Sequence, residues 1–114
     1  MKNFIVLLTA MLFLGCANNK KDNEKLNVVV TTTILTDLVK NIGGDRINLQ
    51  GLMGAGVDPH LYKASEGDVS KLFNADVIFY NGLHLEGKLV AIFEKMEAEK
   101  TTVALGDFLP KEGL

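Results

Sequence analysis

Two histidines are the side chains in this sequence best suited to holding a ligand, and their surroundings differ. His60 follows Asp58-Pro59 and precedes Leu61-Tyr62. Pro59 fixes its own φ and stiffens the segment. Asp58, two residues back, is placed to orient the imidazole by fixing which ring nitrogen keeps its lone pair. A neutral imidazole on a stiff loop suits a divalent transition metal. His60 is therefore a candidate metal ligand and Asp58 its candidate orienting carboxylate. One histidine alone holds such an ion weakly, and no second ligand stands at a recognisable spacing. The plainer alternative is an exposed loop histidine, or one that caps the next helix. His84 lies between Leu83 and Leu85, beside Glu86. Its simpler reading is a ring in solvent while the leucines pack, with Glu86 at a helix N-terminus where the dipole favours negative charge.

The single cysteine, Cys16, stands at the end of an apolar run, Phe4 to Leu14, that follows Met1-Lys2-Asn3. A basic start, an apolar core and the small residue Gly15 predict a secretory leader over residues 1–15. A cysteine directly after the cut resembles a bacterial lipobox, whose thiol receives a diacylglycerol. Each buried acyl methylene adds about 0.8 kcal/mol of membrane affinity, so two or three chains would hold the protein at a surface. Residues 16–25 carry no apolar periodicity and read as the lipidated cysteine and a flexible tether.

Several chemistries are excluded. Gly51, Gly54 and Gly56 lack both the Gly-Lys-Ser/Thr ending of a phosphate loop and the dinucleotide spacing. No Gly-x-Ser-x-Gly elbow occurs, and Cys16 belongs to the leader boundary, so no nucleophile presents itself. Twelve basic against fourteen acidic residues give a net charge of −2 with no basic cluster, so nucleic acid is not a partner. One cysteine excludes an internal disulfide framework. No stretch reaches the roughly 18 apolar residues that span a bilayer.

The elements that must position these residues alternate from Leu26 onward. Val28-Val29-Val30 opens a β-branched run to Thr33, as in a strand buried on both faces. Ile34, Leu35, Leu38, Val39 and Ile42 follow helical spacing up to a cap at Gly43-Gly44. Ile47 and Leu49 mark a second strand, followed by the loop that carries His60. Ser65 and Asp68 have capping-box spacing and open a helix expected to turn Val69, Leu72 and Phe73 inward. Val77 to Tyr80 is a third strand. Leu85, Leu89, Ile92, Phe93 and Met96 form one face of a longer helix, and Thr101 to Leu105 is a fourth strand. The alternation predicts an α/β fold, a parallel sheet covered by helices on both faces. Ligands then gather at the carboxyl ends of the strands, where His60 and His84 both fall. About 89 residues follow the tether, enough for a modest core.

Val28 to Thr33, Gly51-Leu52-Met53-Gly54, Val57-Asp58-Pro59-His60-Leu61-Tyr62-Lys63-Ala64 and Ala75 to Glu86 together resemble the zinc/manganese solute-binding lipoproteins of metal ABC transporters, in particular the TroA-like branch. The resemblance spans nearly all of residues 26–105. It implies a receptor of two α/β lobes joined by one long helix, with Zn²⁺ or Mn²⁺ bound between them. It further implies that His60 is the first metal ligand and that His84 is not one. The remaining ligands would come from a second Asp-Pro-His block, then a His or Glu, then an Asp or Glu in the C-terminal lobe. Residues 26–114 are then expected to be a truncated N-terminal lobe of the metal-binding domain. The function implied is capture of the metal outside the cytoplasmic membrane for an ABC transporter permease, without catalysis, from a lipid-anchored position in the cell envelope. A surface adhesin or structural lipoprotein and a metal-dependent hydrolase are the alternatives. Where relatives of this family carry prolines after the Asp-Pro-His-x-Tyr block, this chain has Ala64 and Glu66.

Overall fold

The computed structural model describes residues 25–112, so the expected leader, Cys16 and most of the tether lie outside the described residues. Four strands, β1 (Leu26–Val30), β2 (Ile47–Gly51), β3 (Val77–Tyr80) and β4 (Thr101–Ala104), form one sheet in the order β2-β1-β3-β4. Every neighbouring pair is parallel, with Val28 opposite Leu49 on one side and Val77 on the other. Parallel neighbours need crossovers, and three helices occupy them: α1 (Thr33–Gly43), α2 (Glu66–Asn74) and α3 (Val90–Met96).

The pleat divides the core in two. Val28, Val30 and Leu35 cluster on one face, with Val39, Ile47, Leu49, Phe79 and Leu105 against them. Val29, Ile78, Tyr80 and Ala104 point to the other face and meet Leu72, Leu89 and Phe93 from the segments of α2 and α3. There the Tyr80 and Phe93 rings lie 4.6 Å apart, tilted by 35°, a favourable aromatic geometry. The crossover after β1 therefore lies on one face and the crossover after β3 on the other. The boundary between β1 and β3 is a topological switch point, where a crevice opens at the strand ends.

Local signals explain the elements. Thr32 caps α1 by accepting from the Leu35 N–H at 3.4 Å, and Gly44, at φ 52°, ends the helix as the expected cap. Ser65 and Asp68 form the complete capping box of α2.

Four expectations need correction. In α2 only Leu72 turns inward as expected; Val69 is 50% and Phe73 66% exposed. The helix instead buries Asp68, which Tyr62 and Ser65 hold by hydrogen bonds; Phe73 lies beneath the Lys100 ammonium, 5.4 Å from its ring centre. The helix expected from Leu85 starts later, with a 3₁₀ turn at Gly87–Leu89 and then α3. Its first residues are diverted because Glu86 folds inward. In α1 the apolar stripe is wider than its contact, so Ile34, Leu38 and Ile42 stay exposed. Cover on the α1 face is accordingly partial: a trough of about 300 Å³ lined by Leu26, Leu38, Ile42, Phe79 and Leu105 remains open. The fourth strand ends at Ala104, one residue early.

Candidate metal centre

His60 stands in the loop that leaves β2, and three contacts hold that loop. The β1–β2 ladder runs on past the strands, with the Leu52 N–H donating to the Val30 carbonyl and the Met53 N–H to that of Thr31, both at 2.9 Å. Beyond His60, the Tyr62 hydroxyl lies 3.1 Å from the Leu52 carbonyl and donates to Asp68 Oδ2 at 2.7 Å. The third contact is Gly87, packed so closely on the loop that a Cβ there would lie 2.5 Å from the His60 carbonyl oxygen. With φ at 45°, Gly87 also needs the freedom that only glycine has without cost.

Asp58 stands within hydrogen-bonding reach of His60. Its Oδ1 accepts the His60 backbone N–H at 3.0 Å and sits 3.0 Å from His60 Nδ1. One carboxylate oxygen thus fixes both the turn and the ring. With Nδ1–H donating to Asp58, Nε2 keeps an in-plane lone pair for a cation. The His60 and Asp58 side chains are 64% and 54% exposed, so the ring is open to solvent and not packed in the core. Ser65, and not His60, caps the following helix. Among the described residues, no group of three or more His, Cys, Asp or Glu side chains gathers to hold a metal.

A crevice of about 290 Å³ opens beside this loop at the switch point, lined by Thr32, Thr33, Met53, Gly56, Pro59 and Asn81 among others. Its lining is largely apolar, but Asn81, which lines it, belongs to a buried polar network. Glu86 is fully buried and accepts hydrogen bonds from Thr31 Oγ1 at 2.7 Å, Asn81 N at 2.6 Å, Asn81 Nδ2 at 2.8 Å and Gly82 N at 3.1 Å. Glu86 does stand at the start of the 3₁₀ turn as expected, but its side chain makes no capping bond there and turns inward. It is an internal acceptor that joins the end of β1 to the loop after β3. To enclose it, the backbone passes through Gly82, Leu83 and His84 in succession at φ 81°, 51° and 65°. His84 is exposed on this turn as expected, but Leu83 does not pack fully and is 54% exposed.

Two acidities near the loop are shifted. Burial, the hydrogen bond to Asp68 and that carboxylate's charge push the Tyr62 hydroxyl up to about 12. Burial works to raise Asp68, but hydrogen bonds from Tyr62 and Ser65 and the Lys71 charge outweigh it, leaving the carboxyl below its usual value.

Thr31, Tyr62, Asn81, Glu86 and Gly87 all shape the site, and sequence reasoning named none of them as a site residue. A signal did exist for Glu86: it is the one charge between Asn81 and Gly87, within a block otherwise apolar or turn-forming apart from His84.

Comparison with known proteins agrees with this architecture. Residues 28–113 match the family described as ZnuA, zinc-uptake complex component A, periplasmic. The manganese-binding lipoprotein MntA of Bacillus subtilis is 43% identical over 96% of this chain and 37% of its own length. The zinc-binding protein TroA of Treponema pallidum is 51% identical over 84% of this chain and 31% of its own. The solved structure of the Treponema pallidum periplasmic zinc-binding protein TroA superposes with a TM-score of 0.76 at 48% identity, covering 78% of this chain and 32% of that one. The chain thus spans about a third of the length of the curated relatives it matches. With its four-stranded parallel sheet, its switch-point crevice and a match running through nearly all of the described residues, the chain belongs to the ZnuA family of metal-binding proteins.

Proposed function

We propose that this chain supplies the N-terminal lobe of an extracytoplasmic receptor that captures Zn²⁺ or Mn²⁺ and hands it to the permease of an ABC transporter. The observation that carries the reading is the His60 imidazole, open to solvent beside the switch-point crevice, with its Nδ1 engaged by Asp58 at 3.0 Å. In this reading His60 Nε2 is the first donor to the metal, Asp58 orients the ring, and the metal is cargo rather than a reactant. Imidazole nitrogen serves Zn²⁺ and Mn²⁺ alike, and the further donors decide between them. The names of MntA and TroA, one a manganese binder and one a zinc binder, support leaving both ions in the proposal. Family membership favours capture over the adhesin and hydrolase readings.

The test is a Mn²⁺ titration followed by paramagnetic broadening of the His60 ring protons. Broadening of His60 ahead of His84 is expected, and it should vanish in His60→Ala with the fold retained. Equal broadening of both rings would defeat the assignment.

The same reading puts Cys16 in a thioether to diacylglycerol after cleavage of residues 1–15, with the receptor held at the outer surface of the cytoplasmic membrane. Supporting this are the leader pattern and the lipoprotein name of MntA. Mass spectrometry of the product in a bacterial host should show the lipid mass at Cys16. Its loss in Cys16→Ala and release of the protein from the membrane are the expected outcomes.

A further inference from the structure

The Glu86 carboxylate is the most completely enclosed charged group among the described residues, yet it touches no part of the cation site directly. Its four donors come from two elements, Thr31 at the end of β1 and Asn81-Gly82 after β3, which meet at the switch point. Asn81 Nδ2 also reaches Thr32 Oγ1 at 3.2 Å, joining the network to the cap of α1. The residue after Glu86 is Gly87, whose Cα is pressed against the His60 backbone. Position along the chain thus passes from the buried carboxylate, through one peptide unit, to the ligand loop. Two consecutive non-glycine residues, Leu83 and His84, are held in the left-handed region to close this loop. Such conformations are unfavourable for residues with a Cβ and persist where surrounding structure over-determines them.

We propose that Glu86 is a positioning residue for the metal site: its hydrogen-bonded carboxylate sets Gly87 as the backstop against which the His60 loop is aligned. The proposal rests on the reading of His60 as a metal ligand and adds a residue that acts on it at a distance. Removing the charge while keeping the shape, as in Glu86→Gln, turns an amide N–H toward backbone donors and displaces the turn. Gly87→Ala acts at the other end, placing a methyl group where the His60 carbonyl now lies.

The experiment is the Mn²⁺ titration of the whole chain, read at the His60 ring protons, for the unsubstituted protein, Glu86→Gln, Gly87→Ala and Leu72→Ala. Leu72, on the inner side of α2, is fully buried in the core and has no hydrogen bond in either residue's network, so its truncation serves as a control for lost stability alone. Glu86→Gln and Gly87→Ala should each need about tenfold more Mn²⁺ for the same His60 broadening. Leu72→Ala should need the unsubstituted amount at temperatures where it is folded. Where Glu86→Gln does not fold, Thr31→Val, which removes one donor of four, takes its place with a smaller shift in the same direction. A His60 response unchanged in the folded Glu86 and Gly87 variants overturns this proposal and leaves the metal reading standing. No His60 response in the unsubstituted chain overturns both. A loss in Leu72→Ala equal to that in Glu86→Gln also overturns it, since general softening would then suffice.

Discussion

Tyr62 shows how one side chain near a ligand can be tied to the stability of the whole loop. Its hydroxyl lies against the Leu52 carbonyl and donates to Asp68, so Tyr62→Phe should cost about 1 kcal/mol in denaturant unfolding. The acidities give the pH window. A phenol raised from 10.0 to about 12 stabilises the fold fully below pH 10, and that contribution disappears as pH climbs from 10 toward 12. Asp68, depressed below 3.8, contributes above that value, and its share is lost on acidification through the lowered one. Melting temperatures measured from pH 9 to 12 should therefore fall less steeply in Tyr62→Phe than in the unsubstituted chain. Parallel curves would contradict the raised phenol. At this scale the sequence is informative about His60 and Asp58, whose two-residue spacing is short enough to dictate their contact. For Glu86 the lone charge in its block is a signal, but its role is not legible, because its partner Thr31 is 55 positions away and only the sheet brings them together.

Among the elements, the turn after β3 is the one under strain. His84 sits at φ 65° with its ring exposed, so glycine at this position keeps the backbone path and removes the clash. His84→Gly should stabilise the protein by about 0.5–1 kcal/mol after the entropy of the freer unfolded chain is counted, an increase of several degrees in melting temperature. His60 should respond to Mn²⁺ as before; a weakened response would show that His84 is a ligand after all. Strand and helix order was legible from the sequence because β-branched runs and capping residues are local signals. Helical spacing in α1 and α2 was less reliable about which residues are covered. Ile34, Leu38, Val69 and Phe73 all fit the period and all lie exposed, since a period gives a stripe and not the width of what packs on it.

For the molecule as a whole, the described residues offer one oriented imidazole and, hydrogen-bonded to it, one carboxylate already occupied in orienting it. Isothermal titration with Zn²⁺ or Mn²⁺ should give affinity far weaker than micromolar. A single-site constant below that would mean the donor set is richer than His60 and Asp58. The sheet order carries a consequence for how such a chain is made. β1, the first of the four described strands in chain order, is one of the two inner strands, and one of its flanks stays unpaired until β3 has been synthesised. The hydroxyl of Thr31 waits longer still, until residue 86 emerges. Closure over so many intervening residues is slow compared with helix formation, so α1 can form on the emerging chain well before the centre of the sheet is complete.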